Sequence, residues 1–417
     1  MDATLAVDCF AELVGADYVR PACPSDAIDG VVPTCVVEPS GVEEVSEVLR
    51  AASERGLKVA PRGGGTQLTL GGPPESLDIV LSLARLDRLL DHAAGDLVAH
   101  VEAGMPMGRL AALLADAGQQ LALDGGGTVG GVIAANTSGP RRLRNGMTRD
   151  LLIGITVVLA DGTITKAGGR VVKNVAGYDL CKLYTGSLGT LGVIVEAVFR
   201  LHPLLEATRT VRIETTNPSK AGEVVQAILH SSLVLSSLEL EAATSRDDST
   251  LVAIFEGVEA GVEAQAATLV QLVGAHGRAE IVTEIADSAV EPERPVAPTT
   301  IKVSVGPAAL PAVLRTAREA TSLVGLDARV HGHAASGVTY VELPEADARA
   351  HADVVAALRR RLGSMGGSVV VVRAPLAVKQ IADVWGEVGD ALLLMRRVKA
   401  RFDPARTLNP GRFVGGI

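Results

Sequence analysis

The chain has 417 residues, 47% of them apolar and 21% charged, enough for two or three domains with full-sized cores. Its 48 acidic and 39 basic side chains give a net charge of −9, and only 2% of the residues are aromatic, which argues against a nucleic-acid partner. Cys9, Cys23, Cys35 and Cys181 form no CxxC pair, so neither zinc nor an iron–sulfur cluster is expected on this chain.

The first fifteen residues carry acids at Asp2, Asp8 and Glu12 and no basic leader, and no apolar run is long enough to span a bilayer. A cytoplasmic protein without a transmembrane segment is expected, reaching a membrane only through partners. PSGVEEVSEVLRAASERG (39–56) predicts a helix, with Ser40 and Glu43 at capping-box spacing and Val42, Val45, Leu49 and Ala52 on one face. Strands are predicted at LKVAP, 78–83 and 97–104, and a helix at 107–117. Residues 121–150 read as loop. Strand 153–164 follows, with Asp161-Gly162 as a turn, and then strand 193–201. After His202-Pro203 the glycine loops thin out. Strand, helix, strand, strand, helix, strand is predicted over 209–284 and again over 300–373, the βαββαβ order of two ferredoxin-like units. Helical 376–402 and a tail close the chain.

Three glycine-rich stretches carry the chemistry. In PRGGGTQ (61–67) consecutive glycines let the backbone close on a ligand and aim successive N–H groups at an anion. No GK[ST] follows, so it is no Walker A, and the spacing does not suit a Rossmann fingerprint. In DGGGTVGGVIAANTSGP (124–140) small and hydroxyl residues fill the gaps, and GSLGTLGVI (186–194) runs from a loop into a strand. Three such loops within about 130 residues point to one large phosphate-bearing cofactor.

These stretches, with NVAGYDLCKLYTGSLGTLGVI and the tail FDPARTLNPGRF, resemble the vanillyl-alcohol oxidase / p-cresol methylhydroxylase (PCMH) superfamily of flavoproteins, and within it the FAD-binding E subunits of bacterial glycolate oxidases. The resemblance implies an α+β fold. A helical extension (1–32) would precede a two-lobed PCMH-type FAD-binding domain (33–203). A domain with a duplicated ferredoxin-like sheet (204–395) and a tail returning to the FAD (396–417) would follow. It implies that Pro61, Arg62, Gly63, Gly64, Gly65, Thr66 and Gln67 cradle the FAD diphosphate. Gly127, Thr128, Val129, Gly130 and Gly131, with Ala134, Ala135, Asn136, Thr137 and Gly139, would line the ribityl chain and flavin. Gly192, Val193 and Ile194 would pack at the adenine, and the Asn409 amide would meet the isoalloxazine edge. Covalent relatives use a His in the first loop or a Cys in the second. Thr66 stands in the first here and the second has no cysteine, so FAD is expected to be non-covalent. The implied partners are a catalytic flavoprotein subunit and an iron–sulfur subunit.

Relatives that oxidise 2-hydroxy acids carry GHxGDGNxH, and later EHG, to hold a metal. HGHAASGVTY (331–340) keeps Gly332, His333 and Gly337 but has Ser336, Val338 and Tyr340 at ligand positions, and Arg373-Ala374-Pro375 replaces EHG. His331 and His333 share a strand face, with no acid nearby in sequence to complete a metal site. No metal is therefore expected, and no catalytic residue can be assigned. Three other readings stay open: a stand-alone FAD enzyme with His333, Tyr340 or Arg373 in its pocket, a structural subunit with a vestigial flavin fold, and, disfavoured by loop spacing, a Rossmann-type dehydrogenase. The four arginines of PRRLRNGMTR (140–149) read as a solvated loop and RRVKAR (396–401) as an exposed helix face. Tyr178 would pack on the cofactor or the core, with Asp179 and Lys182 fixing the loop after them.

Overall fold

A computed structural model describes residues 3–169, 177–282 and 296–417. Asn174 to Ala176 of the NVAGYDL motif, and residues 283–295, lie outside them. The chain divides into two compact units. The first holds 1–138, 146–204 and 387–417, and the second 139–145 and 205–386.

In the first unit a four-stranded sheet runs in the order Val19–Pro21, Cys35–Val37, Ile79–Ser82, Val59–Arg62. Its last three strands are parallel. The segment 1–32 holds the α-helix Ala3–Val14, short 3-10 turns at Ala16–Tyr18 and Pro24–Asp26, and the edge strand Val19–Pro21. Helix Val42–Glu54 buries Val45, Val48, Leu49 and Ala52. It starts one turn position later than its capping spacing suggests: Gly41 is the N-cap, and Ser40 donates to Glu44 rather than Glu43, through its amide and its hydroxyl. A five-stranded antiparallel sheet runs Leu89–Ala93, Val98–Glu102, Val193–Arg200, Leu152–Val158, Ile164–Gly168. Ile79, Leu81, Val101, Ile133, Val195 and Phe199 lie in one core, all at most 1% exposed. Each such side chain contributes about 1.5–3 kcal/mol by leaving water.

The second unit holds an eight-stranded antiparallel sheet. Its first half runs Arg278–Val282, Ala207–Thr215, Ser249–Gly257, Ser237–Ala243, and its second half Arg329–His333, Val338–Leu343, Thr299–Ser304, Ser368–Arg373. Within each βαββαβ repeat the strand order is 4-1-3-2, and the halves join where Glu239 and Glu241 pair with His333 and His331. Alternation along the strands puts Leu238, Leu240, Val330, Val341, Ile301 and Val303 into the helix-covered core. It leaves Glu239, Glu241, His331, Tyr340 and Lys302 on the other face. Residues 376–402 are not one helix. Leu376–Ile381 and Ala391–Phe402 are separated by a stretch in which Gly386 and Gly389 take positive φ.

Candidate functional site

The first unit contains an open cleft lined by the glycine stretches. The three glycine stretches meet there: the second is hydrogen-bonded to the third, and the first packs closely against the second. Residues 129–135, read as loop in the sequence, form a short helix with Thr128 as N-cap, its hydroxyl accepting from the Gly131 amide. Gly130 N donates to Ala103 O, and Val129 N to Met105 O. At the other end of the helix, Gly186 N and Leu188 N donate to Ile133 O and Ala134 O at 2.9 Å, which attaches the third stretch. The first two stretches interlock at glycines. A Cβ on Gly63 would stand 2.0 Å from Thr128 Oγ1, and one on Gly127 2.7 Å from Thr66 Oγ1. These glycines serve loop-on-loop contact as well as ligand approach.

The cleft wall includes Pro61, Arg62, Gly63, Gly64, Gly65, Thr66, Gln67, Thr128, Gly130, Gly131, Ala134, Ala135, Gly192, Ile194 and Asn409. Other expected residues sit behind it. Gly127 touches Thr66, and Val129 and Val193 are fully buried in the core. Asn136 ends the helix in left-handed conformation, Thr137 offers its carbonyl to Thr148, and Gly139 groups with the second unit. Tyr178 is 95% exposed and packs on neither core nor cleft. Asp179 caps helix Leu180–Tyr184 and pairs with Lys182 at 2.9 Å. The sequence reading missed Leu68, Leu83, Ala103, Leu188, Gly189 and Arg412, which also line the wall. Leu188 and Gly189 lie within the third glycine stretch and Arg412 follows LNPG; Leu68, Leu83 and Ala103 carry no motif signal.

The tail closes this site. Val59 N donates to Thr407 O and Asn409 N to Val59 O, extending the strand that leads into the first loop. Asn409 Nδ2 donates to Leu188 O at 2.7 Å, while its Oδ1 is buried without a partner, leaving an acceptor for a ligand N–H. Arg412 is 4% exposed and donates through Nη2 to Leu68 O and Leu70 O, holding the chain just beyond the first loop. Lys399, in the stretch read as an exposed helix face, is buried. Its ammonium spends all three donors, on Asp403 Oδ2, Thr190 O and Leu408 O, at 2.7–2.8 Å. Burial pushes the Lys399 pKa down, and the Asp403 carboxylate pulls it back up. Among the described residues the cleft wall carries two guanidiniums, Arg62 and Arg412, and no carboxylate. That donor set, the glycine cradle and the open Asn409 acceptor fit an FAD, with the anionic diphosphate near the arginines.

In the second unit His331 and His333 share a strand face but do not converge. Carboxylates do stand beside them, which the sequence order could not reveal: they come from neighbouring strands. His333 Nδ1 is 2.8 Å from Glu239 Oε2, and His331 Nε2 is 3.3 Å from Glu342 Oε1, an ion-pair distance without hydrogen-bond alignment. The Tyr340 ring stacks on His331 at 5.3 Å and meets His333 edge-on at 6.1 Å. The nearby His331 imidazole, helped by Arg329, holds Glu342 down at about 2. No group of three or more His, Cys, Asp or Glu suited to a metal occurs among the described residues. Part of the arginine loop is built into this unit: Arg144 donates to Glu256 O, and Arg142 acts electrostatically on Lys302 and Tyr340. Burial, then Arg142, lowers the Lys302 pKa. No helix among the described residues is long and apolar enough to cross a membrane.

Residues 33–168 match the family described as FAD binding domain, and residues 380–413 match the C-terminal domain of FAD linked oxidases. The chain is 30% identical over 406 residues to D-lactate dehydrogenase of Archaeoglobus fulgidus, covering 91% of each protein. It is 33% identical over 239 residues to glycolate oxidase subunit GlcD of Bacillus subtilis, covering 56% of this chain and 50% of that protein. The solved p-cresol methylhydroxylase with substrate bound shares the fold at a TM-score of 0.76 and 17% identity, over 99% of this chain and 96% of that one. On the match to the archaeal dehydrogenase along nearly its whole length, and on the two domain matches, the chain belongs to the family of FAD-linked oxidases.

Proposed function

We propose that the chain is the FAD-binding component of a multi-subunit oxidase of small 2-hydroxy acids, of the glycolate type, working in the cytoplasm beside a catalytic flavoprotein subunit and an iron–sulfur subunit. The supporting observation is the element at 331–340. Tyr340 lies against both imidazoles, and each imidazole has its own carboxylate, so no common point is left for a cation. The names of the relatives, a glycolate oxidase subunit and a D-lactate dehydrogenase, support the substrate class. Bound FAD would supply a two-electron acceptor. This chain's own residues would hold the diphosphate at the first glycine loop and offer Asn409 Oδ1 as an acceptor for a flavin N–H. The flavin is held without a covalent bond, because Thr66 offers no imidazole and 124–140 offers no thiol.

The test is anaerobic mixing of the isolated holoprotein with glycolate and with D-lactate while following the flavin spectrum. No bleaching alone, and bleaching once the other subunits are added, is the expected result. Bleaching by the isolated chain overturns the accessory role and supports a second reading. That reading, a self-sufficient oxidase of a small hydroxy acid, draws on Lys302, which pairs with Tyr340 on neighbouring strands and lies close enough to Arg142 for its pKa, depressed by burial, to be lowered further by it.

A further inference from the structure

Asp26 lies outside the stretch that matches the FAD binding domain, and no motif points to it, yet it is tied directly to the first glycine loop. It is 4% exposed and accepts at both oxygens. Arg20 binds it in bidentate fashion, Nη1 to Oδ2 at 2.7 Å and Nη2 to Oδ1 at 2.8 Å. The Cys23 amide and thiol donate to Oδ2 at 3.0 and 3.1 Å. Arg62 Nη1 donates to Oδ1 at 2.8 Å. Arg62 lines the cleft, its side chain is 18% exposed, and among the described residues that side chain donates no other hydrogen bond.

Charge and geometry then combine. A lone aspartate on Arg62 would cancel the cation that a diphosphate needs. Arg20 supplies a second guanidinium, so the cluster Arg20, Asp26, Arg62 keeps a net charge of +1 with Asp26 ionised. Hydrogen bonds from Arg20, then those of Cys23 and Arg62, hold the Asp26 carboxyl well below the usual carboxylate range. A long arginine otherwise loses rotamer freedom when it binds an anion. Fixing it beforehand by one of its five donors leaves the others for the ligand and removes part of that cost.

We propose that Asp26 is a positioning residue for the cofactor: it fixes Arg62 at the cleft so that the remaining N–H donors of Arg62 meet the FAD diphosphate, with Arg20 offsetting the Asp26 charge.

The experiment measures FAD dissociation constants of the full-length apoprotein at low and high salt, for wild type, Asp26→Asn, Arg62→Met and the double variant. Asp26→Asn raises the cluster charge from +1 to +2, so charge alone would tighten FAD; loss of a positioned Arg62 is expected instead to weaken it about tenfold at both salt concentrations. The double variant should bind no worse than Arg62→Met alone. Unchanged or tighter FAD binding in Asp26→Asn, or additive losses in the double variant, would show that Asp26 does not act through Arg62 and overturn the proposal. Should Asp26→Asn not fold, Arg62→Met decides: wild-type FAD affinity in that variant also overturns it. Substrate turnover enters none of these measurements, so their outcome is independent of the proposed hydroxy-acid chemistry.

Discussion

Replacing Lys399 by Met tests how the tail is fastened. Methionine keeps most of the side-chain volume but removes the ammonium. The Asp403 carboxylate, 0% exposed, then retains only the amides of Thr407 and Leu408, and the carbonyls of Thr190 and Leu408 each lose a donor. Breaking a buried pair from one side costs about 3–5 kcal/mol, because an uncompensated charge stays inside. At a urea slope of about 2 kcal/mol per M, the first unit's midpoint should fall by roughly 2 M. The assay separates the units. Trp385 is the only tryptophan and packs against the second unit's core, whereas flavin release reports on the first. Lys399→Met should move the flavin transition and leave the tryptophan transition in place. The shift should persist at 1 M salt, where exposed pairs are screened. Arg401→Met, on an exposed position of the same helix, is the control and should shift neither by more than about 0.5 kcal/mol. A Lys399→Met shift no larger than that of the control would refute the buried hub.

Three further outcomes are expected. Gly63→Ala puts a methyl group 2.0 Å from Thr128 Oγ1 and should yield flavin-free protein, and Thr128→Ala in the same chain should restore part of the flavin content. Full wild-type content in Gly63→Ala alone would contradict the interlocking of the loops. Glu342 has a folded pKa of about 2, below its ordinary 4.5, so its contribution is present above about 4.5 and is lost as pH falls toward 2. Glu342→Gln should therefore flatten the acid limb of the second unit, followed at Trp385, by up to about 3 kcal/mol; an unchanged acid limb would refute it. Acid or heat precipitation should leave all the flavin in the supernatant, and yellow pellets would disprove non-covalent binding.

What could be read from the sequence had a period or a glycine. The βαββαβ order was visible because strands with alternating burial, such as Ser249–Gly257, and amphipathic helices such as Leu310–Ser322 differ in repeat. The first glycine loop was legible because three consecutive glycines have few structural uses. Helix Val129–Ala135 was not, since its glycines and small residues score as loop and it is held by bonds to Ala103, Met105 and the third stretch. Lys399 looked like a surface residue because its i+4 pair with Asp403 reads as an exposed one; the Thr190 and Leu408 carbonyls that complete its buried site lie 209 and 9 residues away. Asp26 and Glu239 were invisible for the same reason: their roles come from pairing across strands and segments, which no local spacing encodes.

The first unit is assembled from three separated stretches, with residues 205–386 between the second and the third. During synthesis the second unit can therefore reach a folded state while the first still lacks Lys399, Asn409 and Arg412. At roughly 5–20 residues per second, the flavin loops wait on the order of ten seconds or more for their closing strap to emerge from the ribosome. Cofactor loading thus belongs to the last stage of the nascent chain's maturation, and a pulse-labelled ribosome-bound chain that stops short of residue 399 should retain no flavin.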